Sequence, residues 1–119
     1  MKVKEIIETL ELEVKAGANR SDNEITGGYA SDLLSDVLAN SQEGNIWITL
    51  QIHQNIVAIA SIKELSGIII VNSRAPEEET LQKADSENIA IMVSKMPAFE
   101  LIGQLYALGI SGMKNEDAV

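Results

Sequence analysis

Three runs decide the fold class: Ile46-Trp47-Ile48-Thr49-Leu50, then Ile56-Val57-Ala58-Ile59-Ala60, then Gly67-Ile68-Ile69-Ile70-Val71. The first is rich in β-branched and aromatic residues and lies between Gly44-Asn45 and a polar segment from Gln51 to Asn55, so it predicts an interior strand. The third is apolar without alternation, the pattern of a parallel strand covered on both faces. Between them, Ile56, Val57, Ile59, Ala60, Ile62 and Leu65 surround nearly the whole circumference of a helix, which is therefore expected to be buried on more than one face. A strand, a helix and a strand of these lengths form a βα unit, which needs a right-handed crossover and a parallel pair.

The unit repeats toward the C-terminus. Asn72-Ser73-Arg74 follows the third run. A surface helix is predicted from Ala75 to about Ser86, with Pro76 in its first turn and Glu77-Glu78-Glu79 near the positive end of its dipole. Ile89 to Val93 is another apolar run, ending at Ser94-Lys95. Pro97 then opens a helix carrying Leu101, Ile102, Leu105 and Leu108 and stopped by Gly109. Toward the N-terminus, Val3, Ile6, Ile7 and Leu10 have helical spacing, and Leu12-Glu13-Val14 suggests a short strand. Thr26-Gly27-Gly28 interrupts the chain, and Leu33, Leu34, Val37 and Leu38 form a helical stripe opened by Ser31 and Asp32. The expectation is an α/β fold: a compact layered domain over residues 1–110, with a mostly parallel sheet flanked by helices, and a flexible acidic tail over 111–119.

Composition narrows the function classes. At 119 residues there is room for one domain. Nine basic against eighteen acidic residues give a net charge of -9, which repels a phosphate backbone, so no nucleic acid is expected as partner. The four aromatic residues Tyr29, Trp47, Phe99 and Tyr106 are too scattered for a base-stacking platform. The absence of cysteine removes disulfides, thiolate nucleophiles and thiolate metal sites. The apolar runs fall far below the ~18 residues that span a bilayer, and Met1-Lys2-Val3-Lys4-Glu5 opens no signal-like segment; no membrane partner and a cytoplasmic location are expected.

In open α/β sheets ligands bind beyond the carboxyl ends of the strands. The residues there are small and polar: Thr49, Gln51 and His53; Asn72, Ser73 and Arg74; Ser94 and Lys95. Thr26-Gly27-Gly28, ahead of the helix opened by Ser31, offers backbone N–H groups to an anion, although two glycines are equally explained by a tight turn. The candidate ligand-binding set is thus Thr26, Gly27, Gly28, Ser31, Thr49, Gln51, Asn72, Ser73, Arg74 and Ser94, with Arg74 as charge partner. The alternative is that these polar residues simply cap strand ends and helix starts. Neither the phosphate loop GxxxxGK[ST] nor the dinucleotide fingerprint GxGxxG is present. His53 is the single histidine and has no metal-binding pattern around it, so it reads as a structural or surface residue. Asp32 and Asp36 at i and i+4 would share a helix face, which more often is a solvated face than a catalytic pair. No catalytic residues, metal or cofactor are expected.

The segment Asp22-Asn23-Glu24-Ile25-Thr26-Gly27-Gly28, followed by Tyr29-Ala30-Ser31-Asp32-Leu33-Leu34, resembles the DRTGG domain, as do the blocks from Asn55 to Ala60 and from Gly67 to Asn72. The resemblance covers roughly residues 3 to 108, and Asn23 stands where the motif's basic residue is expected. It implies a regulatory module of the kind attached to CBS-domain pyrophosphatases and phosphotransacetylases, similar to the N-terminal domain of HPr kinase. The expected function is a non-catalytic regulatory or sensory module that forms a homodimer and binds a small metabolite or nucleotide at the carboxyl edge of the sheet. The dimer is expected because the helix over 56–65 has more apolar circumference than one face can bury. The alternative is an adaptor for a kinase-like or CBS-domain protein partner, without a ligand; a hydrolase using His53 with Asp32 or Asp36 is a third reading.

Overall fold

The computed structural model describes residues 1–113. Five strands, β1 (Glu13–Ala16), β2 (Gly27–Ala30), β3 (Asn45–Thr49), β4 (Gly67–Ile70) and β5 (Ile91–Val93), form one sheet in the order β1-β5-β4-β3-β2. β2, β3, β4 and β5 are mutually parallel, and only β1 is antiparallel, against β5. The helices are α1 (Val3–Thr9), α2 (Leu34–Asn40), α3 (Asn55–Ile62), α4 (Glu78–Glu87) and α5 (Ala98–Ala107), with one 3-10 turn at Ala18–Arg20. The mostly parallel α/β layering is as the apolar runs predict.

Alternation along the strands divides the core. Ile46, Ile48, Ile69, Val71 and Met92 point to one face and pack with Val3 and Ile6 of α1 and Leu101 and Leu105 of α5. Trp47, Ile68, Ile70, Ile91 and Val93 point to the other and meet Val37 of α2, Ile56, Val57 and Ala60 of α3, and Ala84 of α4. Every residue of β3, β4 and β5 is buried, as strands covered on both faces must be. Trp47 is fully buried, and its indole Nε1 donates to the Ser31 carbonyl at 2.9 Å, so the ring ties β3 to the chain leaving β2.

Two expectations change. Gly27 and Gly28 lie in a strand, paired with Asn45 and Ile46, and neither has positive φ; the positive-φ glycines are Gly17, Gly44 and Gly109. Gly27-Gly28 is therefore the start of β2, with Thr26 just ahead of it, rather than a turn. The second change concerns α3, whose apolar circumference is consumed within the chain. It lies between α2 and α4 on the sheet, burying Ile56, Val57, Ile59 and Ala60, while Ile62 stays 68% exposed. Apart from Ile62, the apolar circumference that pointed to a second copy on this helix is covered by its two neighbours and the sheet. Of the segment read as a tail, Ser111 to Met113 are described: Ser111 O accepts from Gly28 N at 3.0 Å, and Gly112 N donates to Tyr106 Oη at 3.1 Å. Residues 114–119 lie outside the described residues.

These placements set opposite outcomes for two isoleucines of α3. Ile56→Ala removes a fully buried side chain and is expected to cost about 2–5 kcal/mol. Ile62→Ala is expected to stay within about 0.5 kcal/mol of the parent protein. Urea unfolding of both variants checks the pair, and a large loss at Ile62 would mean that its face is covered.

Candidate functional site

The parallel strands carry the chain to a carboxyl edge where the N-termini of α2, α3, α4 and α5 also begin. None of these four helices has a side-chain hydrogen bond at its N-cap. Their first-turn N–H groups therefore lack the usual side-chain acceptor, and the positive ends of four helix dipoles gather at one edge. Asp36, Glu78, Glu79 and Glu100 lie in the first turns of three of them and oppose that potential with four full negative charges, against about half a positive charge per dipole end.

The loop after β4 is the unusual backbone of this edge. Asn72 and Ser73 are consecutive residues in the left-handed region, at φ 59° and 54°. The strain is held by Asn72 N donating to Met96 O at 3.0 Å, Ser73 N to Ser94 O at 2.8 Å and Arg74 N to Val71 O at 3.2 Å. Such conformations cost energy for non-glycine residues and persist where surrounding structure enforces them. The result is an exposed Asn72-Ser73-Arg74 knuckle. The Arg74 guanidinium makes no ion pair among the described residues.

The other predicted residues of this edge are engaged internally. Asp32 is the organiser: its Oδ1 accepts from Thr49 Oγ1 at 2.8 Å and from Leu50 N at 2.7 Å, while Gln51 Nε2 donates to its carbonyl at 2.8 Å. Thr49 Oγ1 also accepts from Gln51 N at 3.1 Å. Ser31 Oγ accepts from Leu33 N, and Ser94, which is buried, accepts from Met96 N through its hydroxyl, both at 3.1 Å. Thr49 and Ser94 are buried, Ser31 and Gln51 are half-buried, and all four shape the loops. Asp32 and Asp36 do not share a helix face, because α2 starts at Leu34 and Asp32 reaches across to β3. His53 lies at the same edge but its Nδ1 is 3.0 Å from Glu77 Oε1, so it meets neither aspartate. No cluster of three potential metal ligands occurs among the described residues.

Thr26 and Gly27 lie at the opposite, amino edge, beside Asn45. Thr26 Oγ1 donates to Glu43 O at 2.7 Å and accepts from Asn45 Nδ2 at 3.3 Å, and Thr26 N donates to Gly44 O at 3.0 Å. Asn23, at the place of the motif's basic residue, donates through Nδ2 to Ser66 O at 3.2 Å. The predicted convergence of Thr26-Gly27-Gly28 with the strand ends is not what the fold builds, since parallel strands keep their starts and ends on opposite edges. The neighbouring cleft, about 610 Å³, is lined by Glu24, Glu43, Glu64 and Glu87 against the single guanidinium of Arg20. Those carboxylates, joined by the C-terminal carbonyls of α3 and α4, repel an anion.

The exit of β2 holds one coupled pair. Tyr29 Oη donates to Asp36 Oδ2 at 2.8 Å, and Asn40 Nδ2 donates to Asp36 Oδ1 at 2.9 Å. The Tyr29 hydrogen bond, then those of Asn40 and Ser31, hold the Asp36 carboxyl below the usual aspartate range, against a small opposing effect of burial. The same bond to Asp36, with burial second, raises the Tyr29 phenol. A depressed acid stabilises the fold above its unfolded pKa, and that contribution disappears as pH falls through the folded value; the raised phenol contributes below its unfolded pKa and loses this as pH rises through the folded value. Tyr29→Phe is expected to move the Asp36 titration upward, read from its side-chain carboxyl resonance by NMR; an unchanged midpoint would show that Asn40 and Ser31 suffice.

Gly27 has a packing reason to lack a side chain. A Cβ there would lie 2.9 Å from Ser111 O and 3.3 Å from Asn45 Nδ2. Gly27→Val is therefore expected to destabilise the protein by roughly 1–3 kcal/mol through overpacking, with or without any small molecule present. Thermal denaturation checks this.

No family model matches the chain, and no curated protein matches it. Among solved structures, the CBS and DRTGG domains of the regulatory region of Clostridium perfringens pyrophosphatase, complexed with the activator diadenosine tetraphosphate, match with a TM-score of 0.70 and 18% sequence identity. The match covers 99% of this chain and 52% of that one, so the chain spans about half the length of its structural neighbour. At this identity the likeness shows the fold, which is DRTGG-like.

Proposed function

We propose that this chain is a non-catalytic regulatory module that works as a homodimer and binds a small anionic metabolite, a nucleotide foremost, at the carboxyl edge of its sheet. The observation that carries the reading is that the left-handed Asn72-Ser73-Arg74 knuckle lies at the same edge as four helix N-termini without a side-chain cap. Oriented N–H groups and a guanidinium without an ion pair suit a phosphate or carboxylate, which accepts several charge-assisted hydrogen bonds at once. The DRTGG-like fold supports it, because the solved neighbour is a regulatory region bound to a nucleotide activator.

The reading differs from the expected site in its residues. Asn72, Ser73 and Arg74 contact the ligand; Thr49, Gln51, Ser31 and Ser94 support the loops; Thr26, Gly27 and Gly28 take no part. The net charge of -9 keeps affinity modest for polyanions and makes it dependent on ionic strength.

Isothermal titration with ATP, AMP, diadenosine tetraphosphate and acetyl phosphate tests the proposal. At least one is expected to bind, and Arg74→Ala is expected to weaken it about tenfold, equivalent to about 1.4 kcal/mol. Thr26→Ala, at the amino edge, is expected to leave the affinity unchanged. Absence of binding by all four, or binding that survives Arg74→Ala and is lost in a folded Thr26→Ala protein, would overturn it.

A further inference from the structure

We propose that the acidic cleft at the amino edge of the sheet binds a linear aliphatic polyamine. The inference is independent of the nucleotide reading above, which concerns the opposite edge.

The cleft, about 610 Å³, opens where α3 and α4 end, and Glu24, Glu43, Glu64 and Glu87 line it. Glu24 is paired with the N-terminal ammonium at 3.3 Å, whereas Glu43, Glu64 and Glu87 make no ion pair among the described residues. Arg20, the single cationic side chain of the lining, is held by the chain itself: its Nε donates to Asn88 O at 3.1 Å. The carbonyl ends of the two helices add the negative poles of two dipoles, about half a charge each. Four carboxylates and two helix ends against one guanidinium and one ammonium leave the cleft negative.

Ser66 supplies an observation of another kind. It is 3% exposed and belongs to the wall of the same cleft. Its backbone is engaged on both sides, N donating to Asn45 O at 2.9 Å and O accepting from Asn23 Nδ2 at 3.2 Å. Its hydroxyl has no hydrogen-bond partner, and it is the one buried side-chain polar atom among the described residues left in that state. Buried polar atoms are nearly always satisfied, so an orphan in the wall of a cleft marks the place of a bound group. Beside carboxylates and helix carbonyls that group is a donor, and an ammonium N–H can donate to Ser66 Oγ.

The placement of the charges selects the cation. No three potential ligands among the described residues stand close enough to hold a metal ion together, so a compact divalent ion finds no shell here. Carboxylates set apart around a cleft of this size suit a chain of ammonium groups separated by methylenes. Ala60, Leu65 and Ile89 add hydrocarbon to the lining, against which the methylenes pack while the charged groups reach the glutamates. The glutamates are exposed, so the affinity falls as salt rises.

Isothermal titration of the full chain with spermidine at low salt is the test, and one molecule is expected to bind per chain. The Glu64→Gln, Glu87→Gln double variant is expected to weaken it about tenfold. Glu8→Gln, Glu11→Gln removes the same net charge from residues outside the cleft and is expected to stay within about twofold of the parent. Ser66→Ala deletes an unsatisfied hydroxyl, so the free protein is expected to keep or raise its Tm while spermidine binds at least about threefold more weakly. Magnesium chloride is expected to give no binding heat. Absence of spermidine binding, an equal loss in the two glutamate pairs, or an affinity untouched by Ser66→Ala would overturn the site. Magnesium binding that the Glu64→Gln, Glu87→Gln variant abolishes would overturn the ligand class. Should Ser66→Ala fail to fold, the contrast between the two glutamate pairs decides.

Discussion

The parallel pairing of Ile46, Trp47, Ile48 and Thr49 with Gly67, Ile68, Ile69 and Ile70 is the contact on which the remaining structure depends. Its side chains point alternately into two separate cores, so the pair must be covered on both faces before it is stable. That requirement recruits α1 and α5 to one side and α2, α3 and α4 to the other. A one-residue slip in register would exchange the two sets of side chains between the cores, moving Trp47 away from the Ser31 carbonyl that satisfies its indole.

The same pairing gives the molecule two chemically unlike edges. At the carboxyl edge, uncapped helix N-termini and Arg74 gather beside the first-turn carboxylates, and Asp32 spends its own carboxylate on Thr49 and Leu50. At the amino edge, carboxylates and helix C-termini accumulate, and Thr26 serves as a clamp on the Glu43–Asn45 turn. Parallel topology forces this polarity, because each crossover helix runs back from the end of one strand to the start of the next. A glycine pair can be equally distinctive in sequence whether it cradles a ligand or lets a neighbouring backbone close in. Here Ser111 O occupies the space that a side chain at Gly27 would take.

The lateral limits of the sheet are set differently. β1 closes one side by pairing antiparallel with β5, and its strand is short and charged. β2 is small and neutral, and its outer edge is met by the chain itself, where Ser111 O accepts from Gly28 N.

The sequence by itself determined the layered α/β architecture, because unalternating runs such as Ile68-Ile69-Ile70-Val71 can be satisfied only by burial on both faces, and the intervening periodicities only by helices. It also placed Asn72, Ser73 and Arg74 beyond a strand end. Tertiary structure alone decided three other matters. The Asp32 carboxylate became a brace because Thr49 and Leu50, distant in sequence, arrive beside it; a polar residue at a strand end carries no local mark of whether its partner is protein or ligand. The circumference of α3, Ile62 apart, was filled by α2, α4 and the sheet, since periodicity counts buried faces without naming what buries them. Gly27-Gly28 became the start of β2 because its pairing with Asn45 and Ile46 and the approach of Ser111 are long-range contacts, and for glycine, free in most backbone conformations, only such contacts choose between strand and turn.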